Sequence, residues 1–350
     1  MSGNAKSSSI RDVAALVEAG LVSPAMMDPL RLVEARYDIA ITPAFRDLIQ
    51  SADDPIGRQV IPRVEELDQA AFQMADPIGD ARHTPVKGVV HRYEDRALLT
   101  PLLICPIYCR FCFRRERVGA EGGLLTDAEL EAALGWFRQH PDVREVILTG
   151  GDPLMLSPRR LGRIIAALSD MAHIDIIRIH SRVPVADPER LTPALLDALS
   201  TEKALWLVTH VNHAAELSEA ASQALRHVQK RGIPMLSQSV LLRGVNDSVE
   251  VMEALLRRLV RLGVKPYYLH HLDPAPGTEH FRVPVERGLN ILRGLRGRVT
   301  GLAWPTYVMD IAGGYGKVPL GPHYLEAGPT MMEGVTDPKG RHHKWPNSDF

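Results

Sequence analysis

The chain has 350 residues, 41 basic against 42 acidic, and a formal net charge of -1. That balance gives no reason to expect a general nucleic-acid or membrane-surface binder, and no apolar run approaches the roughly 18 residues of a membrane-spanning helix. The N-terminus, MSGNAKSSSIRDVAALVEAG, lacks the apolar segment of a secretory signal, so a soluble, cytosolic protein is expected. The length suffices for one large α/β domain with extensions, or for two domains.

In chain order, residues 1–85 read as a mainly helical extension. IRDVAALVEAG and RVEELDQAAFQMA carry helical spacing, with DDPIG and ADPIGD as breaks. No chemistry stands out there. From residue 86 the character changes. Strand-like runs appear at 96–104, 145–150, 175–181, 204–210, 234–240 and 265–271, and the later five start about 30 residues apart, the size of a strand–helix unit. Helix-like stretches fill the gaps. Thr126 and Ser157 stand at N-cap positions, and Gly232 and Gly263 at C-terminal stops. Repeated units of this kind predict a parallel sheet of α/β class, closed or nearly closed into a partial six-unit barrel over 86–300. A C-terminal segment covers 301–350.

Each predicted strand ends in polar or reactive residues. In order these are Cys105; Thr149-Gly150-Gly151-Asp152; His180, Ser181 and Arg182; Thr209, His210 and Asn212; Gln238; and His270, His271 and Asp273. Active sites of parallel barrels gather at the C-terminal ends of the strands, so these residues are expected to share one mouth.

The only three cysteines of the chain, Cys105, Cys109 and Cys112, fall in the run CPIYCRFC. Three cannot all pair within one chain, and a reducing compartment disfavours disulfides. The neighbouring Arg110, Arg114, Arg115 and Arg117 are poor company for buried apolar thiols. A metal or cluster site fits better. Structural zinc takes four ligands, and no second cysteine pair exists, although His91 or a strand-end histidine could supply the fourth. Three thiolates on a four-iron cluster would leave one iron open, as in a catalytic centre.

The spacing C-x3-C-x2-C, with aromatic Tyr108 before the middle cysteine, resembles the signature of the radical S-adenosylmethionine (SAM) superfamily. The resemblance implies a [4Fe–4S] cluster on Cys105, Cys109 and Cys112, with SAM chelated to the open iron. It also implies that the TGGDPL run, with Gly150, Gly151 and Asp152, binds the SAM amino group. More narrowly, AWPTYVMDIAGGYGKVPLGPHY at 303–324, HRYEDRALL at 91–99, IHSRVPV, THVNH, QSVLLRGVND, PYYLHHLD and GTEHFRVPV resemble the lysine 2,3-aminomutases. The likeness covers about residues 86–325. It implies an isomerase in which Lys317 carries pyridoxal 5'-phosphate (PLP) as a Schiff base, with Arg92, Tyr93 and Arg96 on the phosphate and ring. His210 and Gln238 become candidate SAM contacts. Arg114 would hold the substrate carboxylate, and Asp273 and Asp310 the ε-ammonium of L-lysine, giving β-lysine by migration of an amino group. A one-electron reductant such as flavodoxin or ferredoxin would be required, and a homo-oligomer is left open.

The chain departs from the longer lysine-fermenting aminomutases. Ser248 follows the RGVND motif, where those enzymes have a zinc-binding cysteine, and the short tail has none, so no zinc is expected. In length it resembles the branch that supplies β-lysine for elongation factor P. Three other readings stay open: a radical SAM aminomutase acting on another amino acid, a radical SAM enzyme without PLP, and an RNA- or protein-binding module with a structural metal centre.

Overall fold

The computed structural model describes residues 9–119, 123–327, 332–337 and 340–344. Its centre is a nine-stranded sheet in which every strand neighbours its successors in sequence. The strands are β1 (Val89–Tyr93), β2 (Arg96–Leu102), β3 (Glu145–Gly150), β4 (Ile176–Ser181), β5 (Ala204–His210), β6 (Met235–Val240), β7 (Val264–His270), β8 (Thr306–Asp310) and β9 (Lys317–Gly321). From β2 to β8 all pairs are parallel. Antiparallel β1 and β9 flank this run. The sheet curls far enough for the Tyr93 hydroxyl on β1 to accept a hydrogen bond from the Lys317 backbone N–H on β9, at 2.9 Å. The result is a partial barrel. All six predicted strands are present within two residues of their expected ends.

Alternation along the strands separates a helix-facing set from a cavity-facing set. On β3, Val146 and Leu148 are buried outward against the helices, while Glu145, Ile147 and Thr149 face the barrel interior. On β4, Ile177 and Ile179 point outward, and Arg178 and His180 inward. The outward set packs on helices Asp127–Gln139, Pro158–Ser169, Glu219–Lys230, Val249–Arg261 and Val285–Leu295. Burying this apolar set is the main favourable term, at ~25 cal/mol per Å² removed from water. Thr126 closes a capping box with Glu129, and Ser157 caps the next helix through the Arg160 N–H. Gly232 and Gly263 follow their helices with φ of 72° and 70°, a conformation glycine adopts without strain.

The N-terminal region packs as short helices, Val13–Glu18, Met27–Glu34, Pro43–Arg46 and Gly57–Val60, around their own apolar core, which also takes in Ile107 and Ala186 of the barrel. One expectation is corrected here. RVEELDQAAFQMA forms only a single tight turn, Val64–Leu67. Glu66 is drawn inward to two arginines, and the Met74 N–H bonds to the Pro274 carbonyl at 2.8 Å, so tertiary partners override the local helical pattern. Beyond β9, a small antiparallel sheet comprises Leu325–Ala327, Met332–Thr336 and His342–Lys344. The extreme ends of the predicted N-terminal extension and C-terminal tail, 1–8 and 345–350, lie outside the described residues. No helix among the described residues is long and apolar enough to cross a membrane.

Candidate active site

The C-terminal ends of the parallel strands surround a cavity of about 830 Å³. It is lined by the cysteines, Arg92, Tyr93, Arg96, Arg114, Gly150, Gly151, Asp152, His210, Gln238, Asp273, Asp310 and Lys317. The site residues implied by the family resemblance therefore face one space. Of the strand-end residues expected at the same mouth, Thr209, Asn212 and His271 do not line it: Asn212 turns to Gln59 and His271 to the Tyr307 hydroxyl. His91, the alternative zinc ligand, does not line it either. Its ring packs edge-on against Trp136, with centroids 5.0 Å apart.

The cysteine loop follows β2 and is moulded by the N-terminal region. The Tyr108 N–H bonds to the Ala40 carbonyl at 3.0 Å, and the Arg110 N–H to the Gln59 carbonyl at 2.8 Å. Between the last two cysteines, Arg110 turns away from the cavity into a buried ion pair with Glu66, Nη2 to Oε2 2.7 Å, and reaches the Asp38 carbonyl at 2.8 Å. Arg115 shares the same Glu66 carboxylate and also donates to the Arg110 and Gly277 carbonyls. Burial alone would raise the Glu66 carboxyl, but the two guanidinium groups outweigh it and hold it below its ordinary value.

Gly151 shows why the strand end after the loop carries glycine. A Cβ there would lie 2.4 Å from both the N and O atoms of Ile104, one residue before Cys105. Asp152 belongs to the same turn. Its carboxylate accepts from Ser181 Oγ at 2.8 Å and from the N–H groups of Arg182, Val183 and Leu154 at 2.6, 3.0 and 3.1 Å. It thus fastens the end of β3 to the end of β4.

Burial pushes the thiol of Cys105 well above its ordinary value, helped by the Asp152 carboxylate and then the neighbouring thiols, and burial with the charge of Cys109 pushes Cys112 to about 11. Such a group ionises only when a cation compensates it, as iron does. Among the described residues, no three side chains of Cys, His, Asp or Glu converge closely enough to bind a single ion. The three thiols line one cavity, and thiolates are the ligands that iron–sulfur clusters take. Arg182, expected at the mouth only as a strand-end residue, donates to Cys109 Sγ at 2.6 Å and is held by Gln59 and Glu216 at 2.5 and 3.0 Å.

Two half-buried histidines offer unused nitrogens. His210 stacks on Phe111, with centroids 5.6 Å apart and planes at 17°. Its Nε2, like that of His180 on β4, is buried with no hydrogen-bond partner among the described residues. Burial, followed by nearby positive charge, keeps both rings neutral. Gln238 sits beside His210 in register across β5 and β6. Orphaned polar atoms in a cavity of this size fit a polar cofactor.

The third group centres on Lys317. The sequence places it inside a glycine-rich loop, whereas the structure makes it the first residue of β9, in register with Asp310 of β8. Gly313, Gly314 and Gly316 have φ of 87°, 83° and 108°, and a Cβ on Gly314 would lie 2.9 Å from the Ile78 carbonyl oxygen and 3.2 Å from Gly79 Cα. The ammonium of Lys317 is ion-paired with Asp310 and lies 3.2 Å from His270 Nδ1. Arg92 spans Asp310 Oδ1 and the Ile78 carbonyl, at 3.4 and 2.9 Å. The Arg96 guanidinium lies 3.8 Å over the Tyr93 ring. Burial would raise the Asp310 carboxyl, but His270 and Lys317 beside it hold it well below the carboxylate range. For Asp273, burial and then the Asp310 charge raise the carboxyl to about 7, against the pull of Lys317, Arg114 and Arg92.

Arg114 completes the wall. Its Nε donates to Asp80 Oδ2 at 2.7 Å, and its Nη atoms make no hydrogen bond among the described residues. Gln59, Glu66 and Asp80, all from the N-terminal region, went unnoticed in the sequence. The usable signal was the density of arginines after the cysteines, since arginines so close to a packed site need acidic partners.

Comparison with known proteins adds an independent line. The radical SAM superfamily pattern matches residues 99–258, and a lysine-2,3-aminomutase pattern matches residues 292–330. The chain is 43% identical over 289 residues to the L-lysine 2,3-aminomutase of Clostridium subterminale, covering 82% of this chain and 70% of that one. It is 42% identical over 289 residues to the L-lysine 2,3-aminomutase of Acetoanaerobium sticklandii, with coverage of 82% and 70%. A glutamate 2,3-aminomutase of Clostridioides difficile is 32% identical over 321 residues, with coverage of 91% and 76%.

Proposed function

The chain belongs to the lysine 2,3-aminomutase family, and from that premise we propose that it is a PLP-dependent radical SAM isomerase interconverting L-lysine and β-lysine. The observation that carries this reading is the convergence of three separated segments, the cysteine loop, the paired aspartates and the Lys317 strand, on one cavity. When bound, the [4Fe–4S] cluster with SAM supplies a carbon radical, and PLP supplies the carbonyl and ring that carry the migrating nitrogen.

The residues of the chain take the remaining tasks. Cys105, Cys109 and Cys112 hold the cluster, and the Gly150–Gly151 backbone, His210 and Gln238 line the SAM side. Lys317 anchors PLP. Arg92 and Arg96 offer planar donor forks to its phosphate, and Tyr93 fixes the Lys317 backbone. Arg114, with Nε tied to Asp80, presents its remaining nitrogens to a substrate carboxylate. Asp310 grips the Lys317 ammonium in the resting site, and once Lys317 is engaged elsewhere the carboxylate becomes available to a second ammonium. Asp273 lines the same cavity and feels the Asp310 charge, so it is placed to join it. A one-electron reductant of the flavodoxin or ferredoxin kind completes the requirement.

Charge selects the substrate. Replacing an ε-ammonium by a carboxylate at a distance of about 4 Å exchanges attraction for repulsion, each worth about 4 kcal/mol at an effective dielectric of about 20. Even half of one such term is a discrimination of more than tenfold against glutamate.

The test uses anaerobically reconstituted protein with SAM, PLP, a strong reductant and either L-lysine or L-glutamate. β-Lysine, detected by mass-resolved chromatography and lost in Cys109→Ala and Lys317→Ala, is the expected result. Cleavage of SAM without any β-lysine sinks lysine as substrate.

A further inference from the structure

We propose that His270 is the acid–base catalyst of the Lys317 amine: it takes a proton from Nζ so that the amine can attack the PLP carbonyl, and returns that proton to the departing oxygen. This role rests on the aminomutase reading above and adds to it a catalytic group at the same site.

Lys317 is delivered to the cavity as an ammonium in an ion pair, and an ammonium has no lone pair with which to attack a carbonyl carbon. Some group in contact with Nζ must accept a proton first. Two are in contact, Asp310 and His270. Asp310 is the poorer acceptor. Its carboxylate is bound by Arg92 on one oxygen and by the ammonium on the other, and it is held well below the ordinary carboxylate range. Such a group stabilises the ammonium rather than discharging it. His270 ends β7 with its Nδ1 3.2 Å from Nζ. Because the ammonium offers only hydrogens, Nδ1 must present its lone pair in that contact. The other hydrogen-bonding geometry of the ring points the same way, since Asp310 Oδ2 lies 3.8 Å from Nδ1, close enough to stabilise an imidazolium once the proton arrives.

The surroundings set the ring to be neutral at rest. Burial, and then the positive charge of Lys317 on β9, lower the His270 pKa, while Asp310 on β8 supports the charged form. His180 on β4 and His210 on β5 also feel its charge, and Tyr268, two residues earlier on β7, meets it edge-on at 5.7 Å. A neutral imidazole beside an ammonium and a carboxylate is a proton carrier with a charge-balanced destination on both sides.

The step balances. The Nζ–H proton passes to Nδ1, leaving a neutral amine and an imidazolium. The Nζ lone pair forms the bond to the carbonyl carbon. As the carbon–nitrogen double bond forms, the carbonyl oxygen gathers the proton returned by His270 and one hydrogen from Nζ, and leaves as water. His270 ends neutral, and the positive charge that began on the ammonium stays on the linked nitrogen. The reverse sequence serves the exchange with an incoming substrate amine.

The experiment follows formation of the covalent linkage, not turnover. Full-length protein stripped of PLP is mixed with PLP in a stopped-flow cell, and the visible absorbance of the linkage is recorded for the natural protein, His270→Gln and His270→Phe. The linkage rate should fall on the order of a hundredfold in both variants, the scale of a positioned acid–base group. The equilibrium Kd for PLP should stay within a few-fold, and added imidazole should restore part of the rate in His270→Phe. An unchanged rate overturns the role. So does a rate that falls only in proportion to affinity and is not rescued by imidazole, because that marks a merely structural histidine. If the natural protein forms no linkage and Lys317→Ala behaves identically, the aminomutase reading itself has failed, and the role of His270 falls with it.

Discussion

Glu66→Gln probes the buried charge network behind the cysteine loop. The Glu66 side chain is fully buried, and those of Arg110 and Arg115 are 2% and 4% exposed. The carboxylate meets Arg110 at 3.0, 3.1 and 2.7 Å and is shared with Arg115. The amide keeps the shape but removes the negative charge that Arg110 and Arg115 share, and turns one acceptor into a donor. Breaking a buried pair in this way costs about 3–5 kcal/mol. With an unfolding entropy of about 2.1 cal/mol/K per residue, the 350 residues give roughly 0.7 kcal/mol/K, so Tm should drop by about 4–7 °C at neutral pH.

The pH dependence of that deficit is a second signature. Glu66 has its folded pKa lowered, so its contribution is fully present above the unfolded carboxyl value and is lost as pH falls through the folded one. The natural protein and the variant should therefore converge in acid. Because Arg110 lies between Cys109 and Cys112, iron bound per chain after reconstitution should fall as well. Calorimetry at neutral and acidic pH, with an iron assay, checks all three. A Tm unchanged at neutral pH, or a deficit that is the same in acid, would refute the view that this carboxylate anchors the loop.

Two further outcomes are expected. Gly151→Ala should lose about 1–3 kcal/mol of stability and bind less than a full cluster, since its Cβ meets backbone atoms of Ile104 at 2.4 Å; Gly135→Ala, in a helix with nothing within 4 Å, is the control and should be neutral or up to about 1 kcal/mol more stable; iron content and melting curves separate the two. Asp273, whose carboxyl is raised to about 7, should weaken lysine binding as pH falls below that value, by up to about tenfold per pH unit, a dependence that Asp273→Asn abolishes in a KM–pH profile. In the ligand-free protein this same group lowers stability as pH rises from about 4 towards about 7, because the folded state then holds the proton more tightly than the unfolded chain.

The sequence by itself determined everything whose signal is local. Short apolar, strand-like runs at regular spacing placed six strands, helical spacing with cap residues placed the helices between them, and the cysteine spacing marked where a cluster could bind. The polar strand ends predicted one mouth, because parallel connection forces all those ends to the same side. Only the tertiary structure decided which charges meet. Glu66 reaches Arg110 across 44 positions and Asp80 reaches Arg114 across 34, and no periodicity in the chain encodes such a partner. The helical pattern after Arg63 failed for the same reason, since Glu66 is held by arginines of the cysteine loop rather than by its own neighbours. The glycines around Lys317 alone read as a flexible surface loop, and only the family resemblance marked the lysine as reactive; its contacts with Asp310 and His270 exist because β7, β8 and β9 lie side by side in one sheet. Spatial adjacency across strands, not spacing along the chain, gives the amine both its counter-ion and its base.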